Sequence, residues 1–105
     1  MPKIIRDVLR FRAEHAWGAH DLAEIDGATV RLHWTDQPYK WHLNDGAEVF
    51  VVLDGEVDMK YREAGAEKVV RLKAPDIFVA GVGDEHVAHP VGEALVLVVE
   101  RKGSV

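Results

Sequence analysis

The stretch KWHLNDGAEVFVVLDGE, residues 40–56, places polar groups that can bind a metal ion directly before an apolar strand. His42, Asn44 and Glu48 carry these groups, and the run VFVVL follows them. Side chains two residues apart in a strand point to the same face, so Glu48 begins a face that is otherwise apolar. A carboxylate there is costly unless it is paired, protonated or bound to a metal. The stretch therefore predicts a polar site inside a β-structure.

Turn signals divide the chain beyond Trp17 into about eight short strands. The Asp-Gly pairs at 26–27 and 54–55 predict two-residue hairpins, because Asp-Gly tolerates positive φ angles. The segment NDGA, residues 44–47, predicts a further tight turn that makes the strands of His42 and Glu48 hairpin partners. Strands at this spacing, with no long helix among them, predict an all-β sandwich or barrel.

The N-terminal segment has a different periodicity from the rest of the chain. Apolar residues recur three and four positions apart from Ile4 to about Glu14, with charges between them. This spacing predicts a short amphipathic helix. We therefore expect a helical segment over residues 1–16 and a single β domain over residues 17–105.

Composition excludes several classes of function. A chain of 105 residues has room for one hydrophobic core, and without cysteine it forms neither a disulfide framework nor a thiolate zinc site. Acidic and basic residues are interspersed at a net charge of −5, so no basic surface for nucleic acid is predicted. The longest apolar runs are about five residues, far below the roughly twenty that span a bilayer. We expect a cytoplasmic protein that binds neither nucleic acid nor membrane.

Two strands are apolar on both faces, Val49–Leu53 and Leu95–Val99. A strand with one wet face alternates apolar and polar residues, so the outer faces of these two strands require a cover. The N-terminal helix covers one patch in this interpretation, and a second copy of the chain covers another. We therefore expect a homodimer, with the outward apolar side chains being those of Val49, Val51 and Leu53, or Val96 and Val98.

Two motifs in this sequence resemble those of the cupins, in particular the small single-domain cupins of the type-2 group. The first motif is His-x-His, three or four residues, Glu, six residues, Gly, and it falls on His42, Asn44, Glu48 and Gly55. The second motif ends in Gly-x-x-His, which is intact at Gly83 and His86. Three other positions of the second motif depart from the pattern: Pro75, Gly81 and Pro90 stand where that motif has Gly, Pro and Asn.

This resemblance implies a jelly-roll β-barrel, also called a double-stranded β-helix, with a divalent metal inside it. His42, Glu48 and His86 fall on ligand positions, and Fe, Mn, Ni or Zn is the implied ion, without an organic cofactor. Asn44 replaces the usual second histidine, and its amide oxygen is a weaker ligand than imidazole. The alternative is that Glu48 and a histidine form a buried hydrogen-bonded pair with no ion.

Four further residues are candidates for the lining of a pocket in the barrel: His33, Lys40, Phe50 and Val52. His33 lies either on the surface or at the barrel mouth, and Lys40 shares the face of His42 and is a candidate for a charge near the pocket mouth. The resemblance implies a module that binds a divalent metal, a small molecule or both, with no assigned activity. The alternative is a metal-dependent enzyme of dioxygenase or isomerase type, acting on a small organic or sugar-like substrate.

Overall fold

A computed structural model describes residues 1–104 and contains two antiparallel β-sheets. The five-stranded sheet has the order β1-β2-β9-β4-β7, and the four-stranded sheet has the order β3-β8-β5-β6. The all-β prediction is therefore confirmed. The strands within the described residues are β1 Gly18–Ile25, β2 Ala28–Thr35, β3 His42–Leu43, β4 Glu48–Asp54, β5 Glu56–Glu63, β6 Ala66–Lys73, β7 Ile77–Ala80, β8 Glu85–Pro90 and β9 Ala94–Arg101.

The hydrophobic core lies between the two sheets, with Phe50 and Val52 of β4 in its centre. The predicted outward orientation of Val96 and Val98 is wrong, since both are buried in this core. The reason is the register of β4 and β9, in which Phe50 lies opposite Val98 and Val52 opposite Val96. Residues opposite one another share a face of the sheet, so the outward side chains of β9 are its alternate residues, such as Val99.

The two Asp-Gly pairs have different roles in the fold. The pair at 26–27 joins β1 to β2 as a two-residue hairpin, with φ angles of 47° and 81°. The predicted hairpin at 54–55 is wrong, because β4 and β5 lie in different sheets. Gly55 has a φ of 79° and packs closely on the backbone of Glu93. The Asp-Gly pair at 54–55 thus specifies a sharp bend. Burial of β4 and β5 decides which strands each of them pairs with.

The predicted N-terminal helix is also wrong, because the segment contains only a 3-10 turn at Val8–Arg10. Asp7 has a left-handed backbone with a φ of 55°, which interrupts the helical path. Two of the apolar side chains gain little from burial, since Ile4 is 72% and Leu9 53% exposed, whereas Ile5 and Val8 are partly buried. A short helix needs packing of its apolar face to be stable, and only part of this face is packed. No helix among residues 1–104 is long and apolar enough to cross a membrane.

Candidate metal centre

His42, Glu48 and His86 converge between the two sheets. His42 and His86 lie opposite each other on β3 and β8 of the four-stranded sheet, while Glu48 projects from β4 of the five-stranded sheet. The Glu48 Oε1 atom is 3.1 Å from His86 Nε2 and 3.8 Å from His42 Nε2. The ligand atoms of the three residues all lie within 4.8 Å of one another. The barrel thus brings together three side chains that are up to 44 positions apart in sequence.

The route by which His42 and Glu48 meet differs from the sequence prediction. They are not hairpin partners, because their strands belong to opposite sheets. The segment between them crosses from one sheet to the other, and Asn44 N donates a hydrogen bond to Asp84 O at 2.8 Å. The tight turn at NDGA was inferred from local backbone chemistry, which carries no information about which sheet the next strand joins.

Asn44 is buried beside the three ligand candidates and links two of them. Its Nδ2 donates to Glu48 Oε1 at 3.1 Å and to Gly46 O at 3.2 Å. Its Oδ1 is 2.6 Å from His86 Nε2 and accepts the hydrogen bond that this ring donates. The amide therefore occupies the position of the missing histidine by hydrogen bonding to both Glu48 and His86.

The electrostatics of the centre favour an ionised carboxylate. Burial opposes ionisation of Glu48, but the His42 ring at 3.8 Å and the hydrogen bonds from His86 and Asn44 outweigh it and lower the pKa to about 2. The nearby Glu48 carboxylate, 3.8 Å from His42 Nε2, raises the pKa of His42 against the opposing effect of burial. The buried carboxylate is thus charged at neutral pH and surrounded by donors that stabilise it.

The spacing of the donor atoms fits a divalent ion. Two atoms bound to one ion at about 2.0–2.3 Å are separated by about 3–4 Å, as the Glu48 and histidine atoms are. His86 Nδ1 is buried without a hydrogen-bond partner among residues 1–104, so the neutral ring is assigned its proton on Nε2. Binding of an ion at Nε2 would require the other neutral tautomer, in which Nδ1 carries the proton. The same atoms are therefore compatible with both predictions made from the sequence, the buried hydrogen-bonded pair and the metal site.

A cavity of about 190 Å³ adjoins the centre, with His42, Glu48 and His86 in its wall. Of the four predicted lining residues, His33 and Phe50 line it. Lys40 is exposed and does not line it, because it precedes β3 in an irregular segment to which strand alternation does not apply. Val52 does not line it either, since it lies deeper than Phe50 and is completely buried in the core.

No model of a known sequence family matches the chain, and no curated protein sequence matches it. A solved structure with a similar fold is a cupin-2 domain containing protein from Shewanella frigidimarina. It superposes with a TM-score of 0.75 at 23% identity, over 86% of this chain and 85% of the other. This chain has a cupin fold. A cupin superfamily protein from Desulfitobacterium hafniense is also similar, with a TM-score of 0.78 at 13% identity over 96% and 92% of the two chains.

The cupin fold of this chain also resembles part of a larger metalloprotein. Hydroquinone 1,2-dioxygenase PnpCD in complex with Fe3+ superposes with a TM-score of 0.76 at 15% identity. The match covers 87% of this chain and 29% of the dioxygenase chain, so the similarity in fold is limited to one part of the dioxygenase. At these identities the comparisons confirm the predicted cupin resemblance at the level of the fold.

The cavity of the cupin domain also contains polar residues that the sequence prediction did not assign to a pocket. Glu100 lies opposite Glu48 in the register of β9 and β4, and both line the cavity. Burial, and then the charge of Glu48, raise the pKa of Glu100 to about 7. Arg31 lines the same cavity from β2, and Trp17 and Tyr39 are also in its wall. Alternation along β9 would have identified Glu100 once Val98 was known to face inward.

His33 is fixed in place by a backbone contact. Its Nδ1 donates to the carbonyl oxygen of Trp17 at 2.9 Å, and burial lowers the pKa of the ring. The ring lies edge-on to Trp17, with 6.1 Å between the ring centroids. His33 therefore presents a neutral imidazole to the cavity at physiological pH.

Proposed function

We propose that this cupin domain binds a divalent metal ion through His42, Glu48 and His86, and a small molecule in the adjoining cavity. The observation that carries the proposal is the convergence of two imidazole nitrogens and one ionised carboxylate at a buried point beside that cavity. The relation in fold to an Fe3+-containing dioxygenase supports a metal centre at this place. The proposal includes a cytoplasmic location, which a sequence without cysteine favours.

The chemistry of the donors narrows the choice of ion. Imidazole and carboxylate donors suit Fe, Mn, Ni and Zn, and two histidines with one carboxylate form the ligand set of many non-haem iron sites. When bound, such an ion supplies Lewis acidity and orients a small molecule. The protein contributes the fixed donors, while Phe50, Ala88 and Val98 give the cavity an apolar wall beside them. We propose no organic cofactor.

A metal-dependent enzyme is the second candidate function. The observation that favours it is the presence of two further titratable groups in the cavity wall, the neutral His33 ring and the Glu100 carboxyl with its raised pKa. Such groups can exchange protons with a bound molecule near neutral pH. Oxygen uptake by the iron-loaded protein with a panel of small organic substrates distinguishes an enzyme of dioxygenase type from the binding module, because the binding module consumes no oxygen.

The test of the proposed function is metal analysis of protein purified without chelators. We expect close to one divalent ion per wild-type chain after incubation with Zn²⁺ or Fe²⁺ and removal of free metal. His86→Ala is expected to reduce this to background, since it removes one of only three strong donors. His89→Ala is the matched control, because His89 lies on the same strand without belonging to the donor group. Equal metal content in wild type and His86→Ala would contradict the proposal.

We further propose that the protein forms a homodimer through the outer face of the five-stranded sheet. Val49 lies opposite Val79 on one side and Val99 on the other, and Val51 lies opposite Ile77. Val79 is 67% and Ile77 59% exposed, so the apolar row continues to the edge strand β7. A contiguous exposed apolar surface of this kind is typical of a protein interface. The same face of a second copy would cover the row of Val99, Val49 and Val79 and the neighbouring row of Val51 and Ile77.

Val79→Lys tests the homodimer. We expect the wild-type protein to sediment as a dimer at micromolar concentration and the variant as a monomer, because the substitution places an unpaired charge in an apolar interface. Val69→Lys is the matched control, since Val69 is 61% exposed on β6 of the other sheet. A monomeric wild-type protein, or equal dissociation by both substitutions, would refute this interface.

A further inference from the structure

The cavity contains a cationic side chain that the metal centre does not use. Arg31 lies on β2 and lines the cavity on the side of the five-stranded sheet. Its Nε donates to Asp21 Oδ1 at 2.6 Å, and this is the only hydrogen bond of its guanidinium within residues 1–104. By contrast, Arg71 donates through both Nε and Nη2 to Asp58. The terminal nitrogens of Arg31 therefore retain their capacity to bind an anion.

The charged groups around Arg31 allow one further anionic group to bind beside it. Asp21 is its ion-pair partner, but the pair is exposed and contributes little to holding the side chain. The Glu48 carboxylate is already surrounded by His42, His86 and Asn44. Glu100 is the other carboxyl group in the cavity wall, as far as the structure describes it. Arg31 is the one permanently charged cation among the described residues that line the cavity, so an anion would be attracted to this side chain.

Size and polarity limit the ligand further. The cavity is about 190 Å³, with Phe50, Ala88 and Val98 among its apolar lining and Trp17 and Tyr39 as aromatic walls. These surfaces suit a compact organic body rather than a polyanion. A dianionic phosphate would also face repulsion from Glu48, and from Glu100 when it is ionised. The planar guanidinium matches a carboxylate, which accepts two parallel hydrogen bonds from it.

We propose that the cavity binds a small organic acid and that Arg31 holds its carboxylate. This inference rests on the proposed function, because it names the class of molecule that enters the cavity beside the metal centre. Arg31 acts as a binding and orienting residue, and the apolar wall accommodates the rest of the acid. Specificity then comes from the charge of the acid, since a neutral amide of the same shape lacks the attraction to Arg31.

The test is a titration followed by nuclear magnetic resonance of the isotopically labelled full-length chain, in buffer free of carboxylate and phosphate. The probes are propionate and benzoate, each with its neutral amide, and inorganic phosphate. We expect at least one acid to bind at least tenfold more tightly than its amide, with shifts at residues lining the cavity. Arg31→Gln is expected to weaken that acid by about tenfold to a hundredfold, the usual range for a charge-assisted hydrogen bond.

Arg71→Gln is the matched control, because it removes an arginine from an equivalent pair with aspartate outside the cavity. Its acid affinity should equal that of the wild type. Equal binding of acid and amide, tighter binding of phosphate, or an unchanged affinity in Arg31→Gln would each overturn the inference. Zinc content is measured in the same samples, with and without added Zn²⁺. Acid binding that depends on Arg31 but occurs without zinc binding refutes the metal centre alone, whereas zinc binding without acid binding refutes this inference alone.

Discussion

Gly55→Ala is expected to lower the free energy of unfolding by about 2–5 kcal/mol, from left-handed strain and steric overlap together. Gly55 has a φ of 79°, a conformation that residues with a Cβ rarely adopt. A Cβ at this position would also lie 2.5 Å from the carbonyl oxygen of Glu93 and 3.2 Å from Ala94 Cα. Both are backbone atoms, so relief requires movement of the link between β8 and β9. Chemical denaturation of the two proteins measures the difference.

Gly65→Ala separates the two contributions. Gly65 has the same φ of 79°, but a Cβ there would meet nothing within 4 Å. Its substitution is therefore expected to cost only the backbone term, about 1–2 kcal/mol. If the two variants unfold at the same denaturant concentration, the close approach of Gly55 to Glu93 does not constrain the fold.

Asn44→His is expected to increase the affinity for Zn²⁺ at least about tenfold, which corresponds to about 1.4 kcal/mol. A neutral imidazole is a stronger ligand than an amide oxygen, and the substitution would give three histidines and one carboxylate. A second cavity, of about 240 Å³, adjoins Asn44 and Asp45 and gives a larger ring space to turn. Competition titration with a chromophoric chelator measures the affinity.

Asn44→Ala is the control for this substitution. It removes the hydrogen bonds that the amide makes to Glu48 and His86 without adding a ligand. Any effect of releasing those two side chains is therefore common to both variants. Zinc affinity in Asn44→His that is no greater than in Asn44→Ala would show that the side chain at this position does not reach the ion.

The elements that the sequence predicted well are those specified by local patterns. The alternation from Glu48 to Val52 correctly placed Phe50 inward, and the turn at 26–27 was recognised from its dipeptide. The pairing at 54–55 was predicted wrongly, because an Asp-Gly turn has the same local chemistry in a hairpin and in a crossover between sheets. The helix before Trp17 failed for a related reason, since periodicity does not show whether an apolar face has anything to pack on.

The candidate site divides in the same way. The sequence resemblance marked His42, Glu48 and His86, and the structure brings their ligand atoms together. The sequence resemblance gave no indication of Glu100. A carboxylate near the end of a strand is predicted to be exposed unless its register with β4 is known. Lys40 was misplaced for the opposite reason, as strand alternation was extended into a segment that is not a strand. Predictions from local sequence patterns thus miss the side chains that long-range strand pairing places in the site.

The ligand candidates come from opposite sheets, with Glu48 on one and His42 and His86 on the other. An ion held by all three would join two layers that already pack through an apolar core and through the hydrogen bond between His86 and Glu48. Metal binding and folding would then be linked, because the three donors come together only in the folded protein. Free metal would therefore raise the free energy of unfolding. The stability of such a protein would depend on the concentration of free metal around it. The folded fraction of the protein would therefore change with that concentration.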